Sequence, residues 1–218
     1  MLYNIFIKKK ERYIQMNKWT HFYKLLDKEH KEQLVVENEK ETFLIRVAFY
    51  KITLVPFSLV PYYMYDTDEF DMFEELEEDE FNILLAKHIA KSVHKSQTDK
   101  AGVDYFSGHL TSVVNGVNNN KAKVIAYLHD SLEDTPLTDK ELLKVFDRDI
   151  VEAIKVLTKP KNVKYLTYIR NVKTNHLATE VKLSDLRNNS DLSRLSKVTE
   201  KDLQRKEKYE KAIRILEN

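Results

Sequence analysis

Between Ala126 and Pro136 the chain reads AYLHDSLEDTP, which gathers an imidazole and three carboxylates into a short stretch. On an α-helix, positions three and four apart are neighbours, so His129 faces Glu133, and Asp130 faces both Glu133 and Asp134. Val124, Ile125, Leu128 and Leu132 are spaced to bury the opposite side. Crowding these groups costs free energy unless a cation sits among them, and the cluster therefore reads as a site. A His-Asp pair alone is a weak motif, and a divalent cation would need further ligands from other helices. Two candidates offer themselves. His109 follows a glycine-containing loop. Asp185 lies in VKLSDLRNN, where the pattern of Leu177, Val181 and Leu192 turns a neighbouring face inward. Taken singly, an isolated histidine is more often a cap or a surface residue, and an isolated aspartate more often a solvated helix position.

These residues need helices to bring them together, and from residue 81 onward the helical period is clear. Ile83, Ala86, Ile89, Ala90 and Val93 predict a helix ending near His94. A polar loop with Gly102 and Gly108 leads to a helix beginning near His109, which the Asn115–Asn120 run (NGVNNN) breaks. A single helix is predicted over 121–134, and Pro136 should stop it. Thr138 and Glu141 have capping-box spacing and open the next helix. Ile150, Ala153, Ile154 and Leu157 carry the pattern to Pro160. Helices follow near 162–173 and 175–188, and Thr199 with Asp202 caps the last one. This region reads as all-α.

Residues 1–80 are of another kind. Lys18 to Glu41 is polar with scattered apolar residues and predicts helix. Thr42 to Tyr65 is rich in β-branched and aromatic residues and holds two prolines, which favours short strands or extended chain. Residues 66–80 carry ten acidic side chains, with Phe70, Phe73 and Leu76 at three-residue spacing, as in an acidic amphipathic helix or ordered linker. Met16 is a second candidate start, since residues 1–15 form no recognisable element.

Composition bounds the function classes. The 218 residues hold 42% hydrophobic and 33% charged side chains, as expected of a soluble globular protein. No cysteine is present, which excludes a disulfide scaffold and thiolate metal sites and fits a cytoplasmic setting. Leu2 to Ile7 is a short apolar stretch ahead of three lysines, the reverse of a secretory signal, and residues 52–65 are too short to span a bilayer. The net charge of +1 hides an asymmetry: residues 1–80 hold 11 Lys/Arg against 17 Asp/Glu, and residues 81–218 hold 25 against 18. A basic region attracts an anionic ligand such as a nucleotide, although many of these lysines solvate the outer face of the last helix. No basic motif interleaved with glycine and aromatics points to nucleic acid.

The order His109, then His129-Asp130, then Asp185 resembles the H…HD…D pattern of the HD phosphohydrolase superfamily. More narrowly, LHDSLEDTP resembles the LHDxxEDT segment in the hydrolase domain of RelA/SpoT-type alarmone enzymes and small alarmone hydrolases. AKSVHKSQTDKAGVDYFSGH is similar to their A..AH.GQ…G.PYI.H segment, VEAIKVLTK to V..V..lTK, and VKLSDLRNN to VKLADxxxN. The four blocks run in order over about residues 81–200. The resemblance implies an HD-domain helical bundle over 81–218; residues 1–80 have no counterpart in it and read, from their own composition, as a smaller mixed segment with short strands among the options. It implies that His109, His129, Asp130 and Asp185 hold one divalent cation, Mn²⁺. Glu133 and Asp134 would orient or activate the attacking water, Asn189 would contact the nucleotide, and Lys100 a phosphate. Lys182 and Arg187 are open to the same role or to plain solvation.

The implied activity is removal of the 3′-pyrophosphate from ppGpp-like alarmones. The short chain leaves no room for a synthetase domain. Some positions depart from the family pattern: Leu110 replaces a proline, Gly108 is an apparent insertion, Asp99 or Lys100 stands at a usual Arg/Lys, and Asn188 replaces a histidine. These departures bear on the substrate more than on the metal. They keep open a phosphohydrolase acting on another nucleotide or phosphoester. A third possibility is a non-catalytic nucleotide-sensing module with an acidic partner-binding segment.

Overall fold

A computed structural model of the chain describes residues 19–26, 32–38, 41–56, 58 and 73–218. The Leu2–Ile7 stretch, Met16 and the acidic run ahead of Phe73 lie outside them. Five antiparallel strands come first: β1 (His21–Leu26), β2 (Glu32–Glu37), β3 (Thr42–Ala48), β4 (Lys51–Pro56) and β5 (Phe73–Glu75), in the order β4-β3-β2-β1-β5. Side chains alternate across the sheet. Phe22, Leu34, Val36, Phe43, Ile45 and Ile52 belong to the main core, whereas Leu25, Val35 and Leu44 form a small separate cluster with Tyr23 and Val55. The register keeps the two sets apart, pairing Val36 with Phe43 and Leu34 with Ile45 on one side, and Val35 with Leu44 on the other.

The strands at Thr42–Pro56 match the expectation from β-branched residues. The helix expected over Lys18–Glu41 is absent from the described residues there, which form β1 and β2 instead. Leu34, Val35 and Val36 are all buried because both faces of β2 are covered, and such a run carries no period of two that would betray a strand. The sheet is a substantial part of the protein, larger than the few short strands expected. The acidic segment expected as a helix or linker likewise ends in strand β5, with α1 starting after it.

The rest is helical, as the periodicity predicts. Element α1 (Glu78–Val93) opens on three acidic residues, which suit the positive end of the helix dipole. It packs on the sheet, with the Phe81 ring 5.1 Å from Phe22. A π-helical turn (Phe106–Leu110) runs into α2 (Thr111–Asn115). Next comes α3 (Asn120–Leu128), capped by the Asn119 side chain accepting from Ala122 N. The single helix expected over 121–134 is interrupted at His129–Asp130 and resumes as one turn, α4 (Ser131–Asp134). Then follow α5 (Asp139–Leu142), α6 (Arg148–Leu157), α7 (Tyr165–Val172), α8 (His176–Ser190), a 3₁₀ turn (Leu192–Arg194) and α9 (Glu200–Glu217). Thr199 and Asp202 form the expected capping box.

At α5 only half of a box forms. Thr138 accepts from Glu141 N, but the Glu141 carboxylate accepts from Ile52 N at 2.7 Å instead of turning back. Lys144 Nζ donates to Ile52 O at 3.0 Å and pairs with Glu141. Two side chains thus satisfy the outer edge of β4 as a neighbouring strand would. One core runs unbroken from Trp19 through the helices to Leu216. Among the described residues no helix is long and apolar enough to cross a membrane.

Candidate metal centre

Four elements deliver the acid–base residues. His109 sits in the π-helical turn, where Leu110 N donates to Tyr105 O at 3.1 Å, five residues back. A π-turn absorbs one extra residue without disturbing the helix on either side. Gly108, which looked like an insertion in the sequence, lies inside it. A Cβ on Gly108 would come within 3.1 Å of the Val103 side chain and 3.2 Å of Asp99 Oδ2, so glycine suits the close packing of this turn against the preceding loop. Farther on, a Cβ on Gly116 would lie 2.1 Å from Ser184 Oγ, which donates to Val113 O. That approach fixes α2 against α8, and hence His109 against Asp185.

His129 ends α3, and its Nδ1 donates to Ala126 O at 2.8 Å. A carbonyl can only accept, so the neutral ring carries its proton on Nδ1 and presents a lone pair at Nε2. His109 is set the same way, with Nδ1 2.9 Å from Asn188 Oδ1. The two Nε2 atoms then face each other at 3.3 Å. Asp130 Oδ2 lies 3.0 Å from His129 Nε2 and 3.5 Å from His109 Nε2. Asp185 Oδ1 lies 3.4 Å from His109 Nε2 and 3.9 Å from His129 Nε2. Four lone-pair donors therefore converge. Donors that share one ion at about 2.1 Å sit roughly 3.0–3.4 Å from one another in octahedral or tetrahedral arrangements. The spacing and the mixed N/O chemistry fit a divalent cation. His109, His129 and Asp185 are all buried, with ligand atoms within 4.8 Å of one another.

The same field acts on protons. Burial works against a charged His129, yet Asp130 and Asp185 outweigh it and raise the ring to about 9, so a cation that takes the Nε2 lone pair must displace a proton from it. Burial also disfavours ionised Asp130, but His129 and His109 hold it well below the usual carboxylate range. Asp185 is lowered against its burial by Lys182, His129 and His109. Both carboxylates stay charged, and a positive species between them answers that charge.

A surrounding shell of side chains fixes the donors, and the sequence did not reveal most of it. Tyr105 donates to Asp130 Oδ2 at 2.5 Å, and burial followed by Asp130 pushes its phenol up, so the hydroxyl keeps its proton. Its ring stands between His94 and His109, at 5.3 and 5.1 Å. Burial pulls His94 down and keeps it neutral; it bonds Gln97 Oε1 at 2.7 Å and Ser131 Oγ at 3.4 Å. Gln97 in turn donates to Asp134 O, tying α4 to the same network. Lys182, for which solvation stood open, is largely covered, its side chain 14% exposed and its Nζ 2.8 Å from Asp185 Oδ2. Lys182, Asp185 and Asn189 share one face of α8, a spacing visible in the sequence.

The remaining expected residues are placed unevenly. Asn189 Nδ2 donates to Asp185 Oδ1 at 2.5 Å. Glu133 and Asp134 are exposed. Glu133 Oε2 accepts from Lys159 N at 3.0 Å, a backbone partner in place of an imidazole. Asp134 lies in the field of the cluster: although its side chain reaches solvent, partial desolvation pushes its carboxyl up, and Asp130 and Glu133 add to the effect. Lys100 points to Asp202 at 3.4 Å, and Arg187 pairs with Glu217 on the outside. Beside Asp185 stands a wall of tyrosines and cations. Lys182 lies over the Tyr168 ring, and Lys208 over Tyr165 and Tyr209.

No model of a known protein family matches the chain. Among solved structures it is similar to one described as a metazoan ortholog of SpoT that hydrolyzes ppGpp and plays a role in starvation responses. The identity is 20%, the match covers 62% of this chain and 83% of that one, and the TM-score is 0.50. At that identity the likeness is one of fold.

Proposed function

We propose that the protein is a divalent-metal-dependent phosphohydrolase that removes the 3′-pyrophosphate from ppGpp-like guanosine nucleotides, with residues 81–218 carrying the activity. One observation carries the reading: two imidazole lone pairs and two ionised carboxylates converge on a single point from the π-turn, α3 and α8. The four sequence blocks, and the shared fold with a chain described as hydrolysing ppGpp, support the substrate class.

His109, His129, Asp130 and Asp185 would hold the cation, by the resemblance Mn²⁺. Bound there, it would supply a water of lowered pKa and neutralise charge on phosphate oxygens. Tyr105 orients Asp130 through its hydroxyl, and Lys182 helps keep Asp185 ionised. Asp134 takes the proton from the attacking water, its raised pKa bringing it nearer the working pH of a general base. Glu133, one residue before it, anchors α4 to the Lys159 backbone and steadies that base.

The test is release of pyrophosphate from ppGpp by the purified protein with Mn²⁺, which is expected to vanish in Asp185→Ala and to fall at least a hundredfold in Asp134→Ala. Intact ppGpp across a range of pH and metals would sink the reading. The carboxylate at position 99 favours a second reading, in which the chemistry is the same and another nucleotide is the substrate. A panel of nucleotides under the same conditions separates the two.

A further inference from the structure

The loop after α1 is organised by one carboxylate. Asp99 Oδ1 accepts from the backbone N–H groups of Ala101 at 2.8 Å and Val103 at 3.0 Å. Its Oδ2 lies 2.9 Å from Arg194 Nη1, and the two side chains are only 7% and 18% exposed. Arg194 Nη2 reaches Asn189 Oδ1 at 3.4 Å, and Asn189 donates to Asp185 Oδ1. The guanidinium thus lies two hydrogen bonds from the converging donors. Its Nε is buried and without a hydrogen-bond partner among the described residues.

Drawing an ion pair out of water costs about as much as it returns, so stability alone is a poor reason for this one. The resemblance expects a cation at position 99 or 100. Here Asp99 is an acid, and Lys100 is 44% exposed and pairs with Asp202 on α9. The positive charge on this flank comes instead from Arg194, in the 3₁₀ turn after α8. We propose that Arg194 is the specificity-determining cation of the site: its guanidinium receives a phosphate of the diphosphate held at the His109–His129–Asp130–Asp185 cluster, and Asp99 positions it. A planar guanidinium can bind phosphate oxygens through two parallel N–H groups, which an ammonium cannot.

This inference rests on the phosphohydrolase reading but not on the alarmone as substrate. The test is calorimetric titration of inorganic pyrophosphate into the full chain, with Mn²⁺ saturating and equal in cell and syringe. Arg194→Gln leaves Asp99 without its cation and is expected to lower the melting temperature, so the titration is run well below that transition, where binding should weaken tenfold or more while Mn²⁺ affinity stays within twofold. Arg194→Lys should recover only part of the loss, and Asp99→Asn should fall between wild type and Arg194→Gln. Wild-type pyrophosphate affinity in Arg194→Gln would overturn the proposal. So would a matching loss of Mn²⁺ affinity, which marks a structural role, or a wild type that does not bind pyrophosphate. If the expected pattern appears but ppGpp is left intact, the alarmone reading fails and the assignment of Arg194 stands.

Discussion

The helical region and the sheet both depart from regular geometry, and they do so in opposite places. In the helices the irregularities are buried and carry donors: a π-turn delivers His109, and the break between α3 and α4 delivers His129 and Asp130. In the sheet the irregularity is the hairpin between β3 and β4, where Phe49 and Tyr50 take φ of +50° and +61° and Phe49 is 93% exposed. Helix breaks leave backbone groups and side chains pointing inward that a continuous helix would direct elsewhere. The helix distortions sit where the four donors converge, and the sheet distortion sits in solvent. Mutations can therefore separate the two regions by what they move, metal affinity or stability.

The largest separation is expected from Asp185→Ala. It removes a donor and strands the Lys182 ammonium, which burial disfavours and which Asp185 and Tyr168 hold in its charged form. Metal-dependent turnover should fall at least about 1,000-fold and the metal should no longer co-purify, by elemental analysis. Retained metal would show that the helix irregularities do not build the site.

Next comes Tyr105→Phe, which deletes one hydroxyl and keeps the ring between His94 and His109. Loss of a partner that orients a metal ligand typically costs about 10–100-fold in metal affinity. Titration with Mn²⁺ should find a change in that range with the far-UV spectrum unaltered. An unchanged affinity would mean that Asp130 needs no orienting partner.

These two residues also mark what the sequence could and could not reveal. Residue type and order singled out His109, His129, Asp130 and Asp185, whose side chains the structure brings together. Tyr105 was not, because its meeting with Asp130 depends on a π-turn that no periodicity predicts. Lys182 looked solvated until α8 was packed, although its i, i+3 spacing to Asp185 was there to read. The helices over 81–217 followed from a 3.6-residue period that burial enforces. Strands β1 and β2 were missed because burial on both faces erases alternation, and a short apolar run flanked by charges reads equally well as a helix. Glu133 was placed on the imidazole face by assuming one continuous helix, whereas its carboxylate accepts from Lys159 N.

On the sheet side, Glu141→Ala tests the seam between the regions. It leaves Ile52 N, in the fully buried Ile52, without its acceptor, and takes the carboxylate from Lys144, which keeps only Ile52 O. A buried donor left unsatisfied costs about 1–3 kcal/mol, so the urea midpoint should drop by a corresponding amount. Mn²⁺ affinity should not move. A parallel loss of metal would show that the sheet edge props the site and would erase the distinction between the regions.

The smallest effect is expected at the hairpin, and its sign is the informative part. The register pairs Ala48 with Lys51, so two residues span the turn, and both have positive φ. Asn-Gly is the sequence that such a turn favours, since Asn tolerates and Gly readily adopts the left-handed region. Replacing Phe49 and Tyr50 together by Asn and Gly should relieve backbone strain at the cost of little packing, because Phe49 is almost wholly exposed and Tyr50 is 40% exposed. Relief at one left-handed residue is of order 1 kcal/mol, and glycine's extra freedom in the unfolded chain offsets part of it. A net gain of about 0.5–1 kcal/mol is expected, read as a higher urea midpoint with metal binding and turnover unchanged. A loss of stability would mean that the aromatic pair makes packing contacts that outweigh its backbone strain, and the hairpin distortion could no longer be read as one merely tolerated in solvent.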